Sequence, residues 1–168
     1  MHLTHRFTFT IAAVLLALGV AVMPASAQEA IFLVRHAERL DSSTDSPLSA
    51  EGQARAAHLA QMLGDARISV IITSEFVRTR DTARPLADRL KLPIQQIPAA
   101  DVDGLLATLR AAGPRARVLV VSHGDRIPAV LAGLGQKEEV SLASGDYDNL
   151  WMILPGAGKI PMAIRLHY

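Results

Sequence analysis

The chain has 168 residues, half of them hydrophobic, which excludes a disordered chain and allows one domain with a real core. Its formal net charge is +1 and it contains no cysteine. That balance argues against nucleic acid as the main partner, and disulfides, thiolate catalysis and cysteine-ligated metals are excluded.

The first 27 residues read as a secretory signal. Arg6 supplies the early charge, an apolar run follows from Phe7 to Met23, and Pro24 precedes the small-residue site Ala25-Ser26-Ala27. An uncleaved membrane anchor is the rival reading, but the run stands at the short edge of the roughly 17–25 residues a span needs. Cleavage before Gln28 leaves residues 28–168 as one domain, exported to a bacterial periplasm or secreted. No membrane insertion is then expected after cleavage.

From residue 30 the chain alternates short β-rich runs with helical patterns. Ile31 to Val34 is a continuous apolar run, as for a strand covered on both faces. Residues 49–63 place Ala and Leu at helical spacing behind Ser49, a fitting N-cap. A second strand is expected over 68–73, and a helix over 75–90, interrupted or kinked near Pro85. Residues 93–98 suit a short edge strand. Residues 101–113 read as a helix stopped by Gly113, and 116–122 as the clearest strand. A helix over 126–135 tolerates Pro128 in its first turn. Residues 147–154 and 160–168 read as a final hairpin around Pro155-Gly156, with Trp151 in the core. This alternation predicts a three-layer α/β/α sandwich with a mostly parallel central sheet. Ligands of such folds bind beyond the carboxyl ends of the strands.

The chemistry-bearing residues sit at those ends. The first strand ends in Arg35-His36, the second in Thr73-Ser74 with Arg78 four residues on, and the third in Ser122-His123-Gly124. Two guanidinium groups match the oxygens of a phosphate monoester bidentately and stay charged at any useful pH. A neutral imidazole nitrogen can act as nucleophile and form a covalent phosphoenzyme, while a second histidine can hydrogen-bond the transferring oxygens. Positioning and electrostatics supply most of the catalysis of phosphoryl transfer, so arginines can stand where other proteins use a metal.

"LVRHAE", "TSEFVRTRDTA" and "VLVVSHGDRIP", taken in order, resemble the signature segments of the histidine phosphatase superfamily, the phosphoglycerate-mutase-like proteins. "DSPLSAEGQARA" is similar to that family's linker into its first helix. The short chain looks like the compact bacterial phosphohistidine-phosphatase-like group of branch 1. The resemblance implies that His36 is the phosphorylated nucleophile. It implies too that Arg35 and Arg78 bind the phosphoryl group, that His123 completes the pocket, and that no metal or cofactor is needed. The partner is then a small phosphorylated substrate. Glu75 departs from the proline usual at its position. Many family members also protonate the leaving group with a Glu placed between the second arginine and the second histidine, and this chain has none there. Candidates for that general acid are Asp125, Glu38 and Asp101, although Asp101 also suits a helix N-cap and Asp125 a helix-start charge.

Other readings differ in what they need. A metal hydrolase would use His36, His123 and an aspartate, but no H-x-x-x-H or H-E-x-x-H spacing occurs, and paired arginines repel a cation. A serine hydrolase would need G-x-S-x-G, which "VSHGD" is not. A catalytically weak phospho-ligand-binding protein of the cell envelope is the serious alternative to an exported phosphatase. His58 and His167 have no motif around them. Neither the physiological substrate nor the oligomeric state is readable from the residues.

Overall fold

A computed structural model describes residues 29–113, 115–154 and 161–168. The expected signal segment and the turn at Pro155-Gly156 lie outside the described residues. The elements are β1 (Ala30–Arg35), α1 (Ala50–Met62), β2 (Val70–Thr73), α2 (Val77–Leu90), β3 (Ile94–Gln96), α3 (Val102–Ala111), β4 (Arg117–Ser122), α4 (Ile127–Gly133), β5 (Asn149–Leu154) and β6 (Met162–His167). The six strands form one sheet in the order β3-β2-β4-β1-β5-β6. Neighbours from β3 to β1 run parallel, and β5 and β6 join antiparallel.

Strand periodicity divides the apolar residues between two cores. Phe32, Val34, Ile71, Leu119 and Val121 point to one face, where Leu59 of α1, Leu63 at its C-cap, and Ala83 and Leu86 of α2 cover them. Ile31, Leu33, Ile72, Val118 and Val120 point to the other, beneath Leu105 and Leu109 of α3 and Val130 and Leu131 of α4. Trp151, 3% exposed, belongs to this second core. β1 and β4 are continuously apolar because both of their faces are covered. Each aliphatic side chain so buried contributes about 1.5–3 kcal/mol relative to exposure.

Local signals set most helix starts. The Ser49 hydroxyl accepts from Gly52 N at 3.1 Å, and the Asp101 carboxylate accepts from Gly104 N at 2.8 Å. α2 begins two residues later than its pattern suggests, because Asp45, from the loop after β1, caps Val77 N at 2.7 Å. Nor does Pro85 interrupt α2, which runs through it to Leu90. The proline deletes one backbone bond, but Thr82, Ala83, Leu86 and Ala87 are buried on either side of it and hold the helix to the sheet. α3 ends at Ala111 rather than at Gly113, whose φ of +86° turns the chain toward β4.

Candidate active site

The strand order sets the carboxyl ends of β2, β4 and β1 side by side. Arg35 pairs in register with Ser122, and Thr73 with Val121. His36 N donates to Ser122 O at 2.9 Å just past the last strand pair. The two apolar strands are therefore rigid mounts that deliver His36 and His123 together, ring centroids 5.3 Å apart. Both are nearly enclosed, at 4% and 6% exposure. They open on a cavity of about 360 Å³ whose walls also include Arg35, Arg39, Arg78, Gly124, Asp125 and residues 142–144.

His36 Nδ1 lies 2.8 Å from the Ala37 carbonyl oxygen. A carbonyl only accepts, so Nδ1 carries the proton and Nε2 keeps its lone pair. Ala37 is fixed in turn: its N–H donates to Thr82 Oγ1 at 2.9 Å, and that hydroxyl donates to Arg78 O at 2.8 Å. Burial, and then the positive field of His123, Arg78 and Arg35, pushes the His36 imidazole down to about 3. The ring is therefore neutral at neutral pH.

His123 is bound differently. Its Nδ1 faces Arg78 NH2 at 3.4 Å, and its Nε2 lies 2.9 Å from Ser74 Oγ. The guanidinium can only donate, so Nδ1 accepts and Nε2–H donates to Ser74. Ser74 Oγ sits 2.9 Å from Thr79 Oγ1, which donates to Phe76 O at 2.8 Å. Burial first, and then Arg78, pushes His123 down to about 4.

The arginines are pre-oriented. Arg78, 8% exposed, donates through NH1 to Thr44 O at 2.9 Å and lies 4.3 Å from the Phe76 ring centre. Arg35 donates through NH1 to Ala143 O at 3.1 Å and Ser144 O at 3.0 Å, and stacks 4.1 Å over the Tyr147 ring. The Nε of each is buried without a partner among the described residues. Both guanidinium side chains line the cavity, held there by these contacts. Gly124 makes room for this: a Cβ there would meet Arg35 Nε at 3.2 Å.

The acid candidates separate. Glu38 turns away from the cavity to Arg55, whose Nε donates to its two oxygens at 2.8 and 3.0 Å. Asp101 is spent as the α3 cap and lines a different, small hollow. Asp125 does line the cavity, with its side chain 72% exposed and 3.5 Å from Arg126 Nε. Glu75 accepts from Ala99 N at 2.8 Å and so ties the α2 turn to the loop after β3. Reading the strand ends alone does not reveal Tyr147 or the 142–146 backbone that seats Arg35; they lie 112 and about 110 residues along the chain from it, and only a packed sheet brings them there. Among the described residues, no group of three or more His, Asp and Glu is placed to hold a metal, and no helix is long and apolar enough to cross a membrane.

The description of the family "Histidine phosphatase superfamily (branch 1)" matches residues 31–101, a stretch that runs from β1 through the α3 cap. The match covers less than half of the chain. It contains Arg35, His36, Ser74 and Arg78, while the second histidine lies beyond it. A protein of Yersinia enterocolitica named "Probable phosphoglycerate mutase GpmB" is 32% identical over 132 residues, which is 68% of this chain and 61% of that protein. The chain therefore spans less than two thirds of that curated relative. Two solved phosphatases share the fold. The protein histidine phosphatase SixA complexed with tungstate superposes with a TM-score of 0.68 at 23% identity, over 82% of this chain and 96% of that one. A mycobacterial glucosyl-3-phosphoglycerate phosphatase with inorganic phosphate gives 0.66 at 18% identity, over 83% and 96%.

Proposed function

We propose that this protein is an exported phosphatase that hydrolyses small phosphate monoesters through a phosphohistidine on His36, without a metal. The observation that carries the reading is His36, its Nδ1 tied to the Ala37 carbonyl and its Nε2 left with a lone pair, in the wall of a cavity it shares with Arg35, Arg78 and His123. Nε2 attacks phosphorus, the ester P–O bond breaks and the leaving oxygen takes a proton. Water then displaces Nε2, releasing phosphate and restoring the imidazole. Arg35 and Arg78 receive the charge that spreads over the phosphoryl oxygens. Asp125, the carboxylate that lines the cavity, is the candidate donor of that proton. Export to the periplasm or beyond rests on the signal-like residues 1–27, and the activities named for the similar proteins support the phosphorylated substrate class.

A second reading, a weakly catalytic phospho-ligand-binding protein, draws on the engagement of Glu38 and Asp101 elsewhere, which leaves one exposed carboxylate in the cavity. Hydrolysis of an aryl phosphate by the purified protein, from acid to neutral pH and beside His36→Ala, separates the two. Turnover that vanishes in the variant supports the phosphatase; phosphate-competed binding without turnover supports the binding protein. With so little acid in the cavity, alkyl esters should react about 10²–10⁴ slower than aryl esters. Equal rates would contradict that.

A further inference from the structure

The cavity carries a third guanidinium group beyond the two assigned to the phosphoryl group. Its walls carry three guanidinium groups, Arg35, Arg39 and Arg78, against the single carboxylate of Asp125, which lies beside Arg126. The other acids acting on Arg78 are Asp45 and Glu75, and these accept from the backbone N–H groups of Val77 and Ala99. A monoester dianion carries two charges, which Arg35 and Arg78 match from the strand-end side.

Arg39 is the third. It lies three residues past His36 on the cavity rim, exposed to solvent. Its backbone is pinned by an isolated bridge to Leu48, and Leu40 N donates to Pro47 O at 2.9 Å. Its guanidinium makes no hydrogen bond or ion pair among the described residues, in contrast to Arg35 and Arg78. Asp41 feels its field, but the Asp41 Oδ1 is taken by the Ser43 N–H at 2.9 Å. Arg39 is also the largest charge, after burial, that depresses the Arg78 guanidinium, so the two cations stand close enough to repel. An anion placed against Arg39 relieves that repulsion.

We propose that Arg39 is a specificity-determining residue that receives a second anionic group, a carboxylate or phosphate, carried by the leaving group of the phosphorylated substrate. The proposal rests on the phosphatase reading above for its orientation: phosphoryl at His36, leaving group toward the rim.

The test compares phenyl phosphate, para-carboxyphenyl phosphate and hydroquinone bisphosphate on the full protein and on Arg39→Gln. Turnover is measured with His36 intact, and binding by calorimetry in a His36→Ala background, where no turnover occurs. One or both anionic esters should be favoured over phenyl phosphate by about fivefold to tenfold, a charge-assisted contact discounted for solvent at the rim. Arg39→Gln should reduce that preference below twofold. Which ester gains tells a carboxylate from a second phosphate. A preference below twofold in the unaltered protein, a preference that survives Arg39→Gln, or no binding of any ester overturns the proposal. Absence of turnover with the binding preference intact overturns the phosphatase reading and leaves the Arg39 assignment standing.

Discussion

The ends of β1 and β4 lie in register and each delivers a histidine, yet the two imidazoles are bound in opposite senses. At the end of β1, Nδ1 is tied to a backbone carbonyl and Nε2 is left open. At the end of β4, Nε2 is tied to Ser74 and Nδ1 faces the Arg78 guanidinium. The same residue type at matching strand ends is thus left with an open Nε2 in one case and meets Arg78 through Nδ1 in the other. The atom on the far side of each ring decides, because it fixes the tautomer.

The largest effect that breaks this comparison is loss of the open nitrogen. His36→Ala should lower kcat for an aryl phosphate at least about 10³-fold, as removal of a nucleophile does. Steady-state kinetics on that variant check this, and a change below tenfold would place the nucleophile elsewhere. Next comes the group that His123 holds: Arg78→Ala should cost about 10²–10³ in kcat, as for a preorganised charge donor. A change below threefold would remove Arg78 from the site.

Ser74→Ala sharpens the comparison further, since it leaves both imidazoles in place and frees only the ring at β4. Ser74 Oγ also bonds Thr79 Oγ1 and the Phe76 N–H, but the bond to His123 is the one that bears on the site, so kcat/KM should fall about threefold to tenfold. An unchanged value would show that His123 needs no anchor.

Acid supplies the broadest effect, on stability rather than on turnover. Both imidazoles titrate near 6.5 when unfolded, but at about 3 for His36 and about 4 for His123 when folded. Between those values the unfolded chain binds more protons, so each proton added favours unfolding. The stability gained by burying neutral rings is present above about pH 6.5 and is lost as pH falls toward 3. Thermal melts from neutral to acid pH should show the midpoint falling, and less steeply in His123→Asn; equal slopes would contradict the depressed values.

Much of the site was legible because its residues are tied to strand ends, and strand ends are marked by where apolar runs stop. Arg35, His36 and His123 follow their runs directly, and Arg78 is the second residue of α2. The layers were legible for the same reason, since β1 and β4 lack the alternation of a half-exposed strand. What escaped depends on contacts between distant segments. Asp45 sets the start of α2 from 32 residues away, and burial of its flanks overrides the break signal of Pro85. Glu38 has the look of a pocket acid beside His36. Its direction is set by Arg55 on α1, and by Gly52, where a Cβ would stand 2.3 Å from Glu38 O. Nothing in the spacing of those residues announces that close approach.

The most direct measurement is to trap the phosphoryl group. An aryl phosphate mixed with the protein and quenched in alkali within the first turnover should leave one phosphohistidine, located by peptide mass spectrometry at His36. Phosphorus NMR should assign the bond to Nε2, because Nδ1 is committed to the Ala37 carbonyl. Turnover with no phosphate on His36, or with the bond at Nδ1, would contradict the nucleophile and tautomer derived from the geometry.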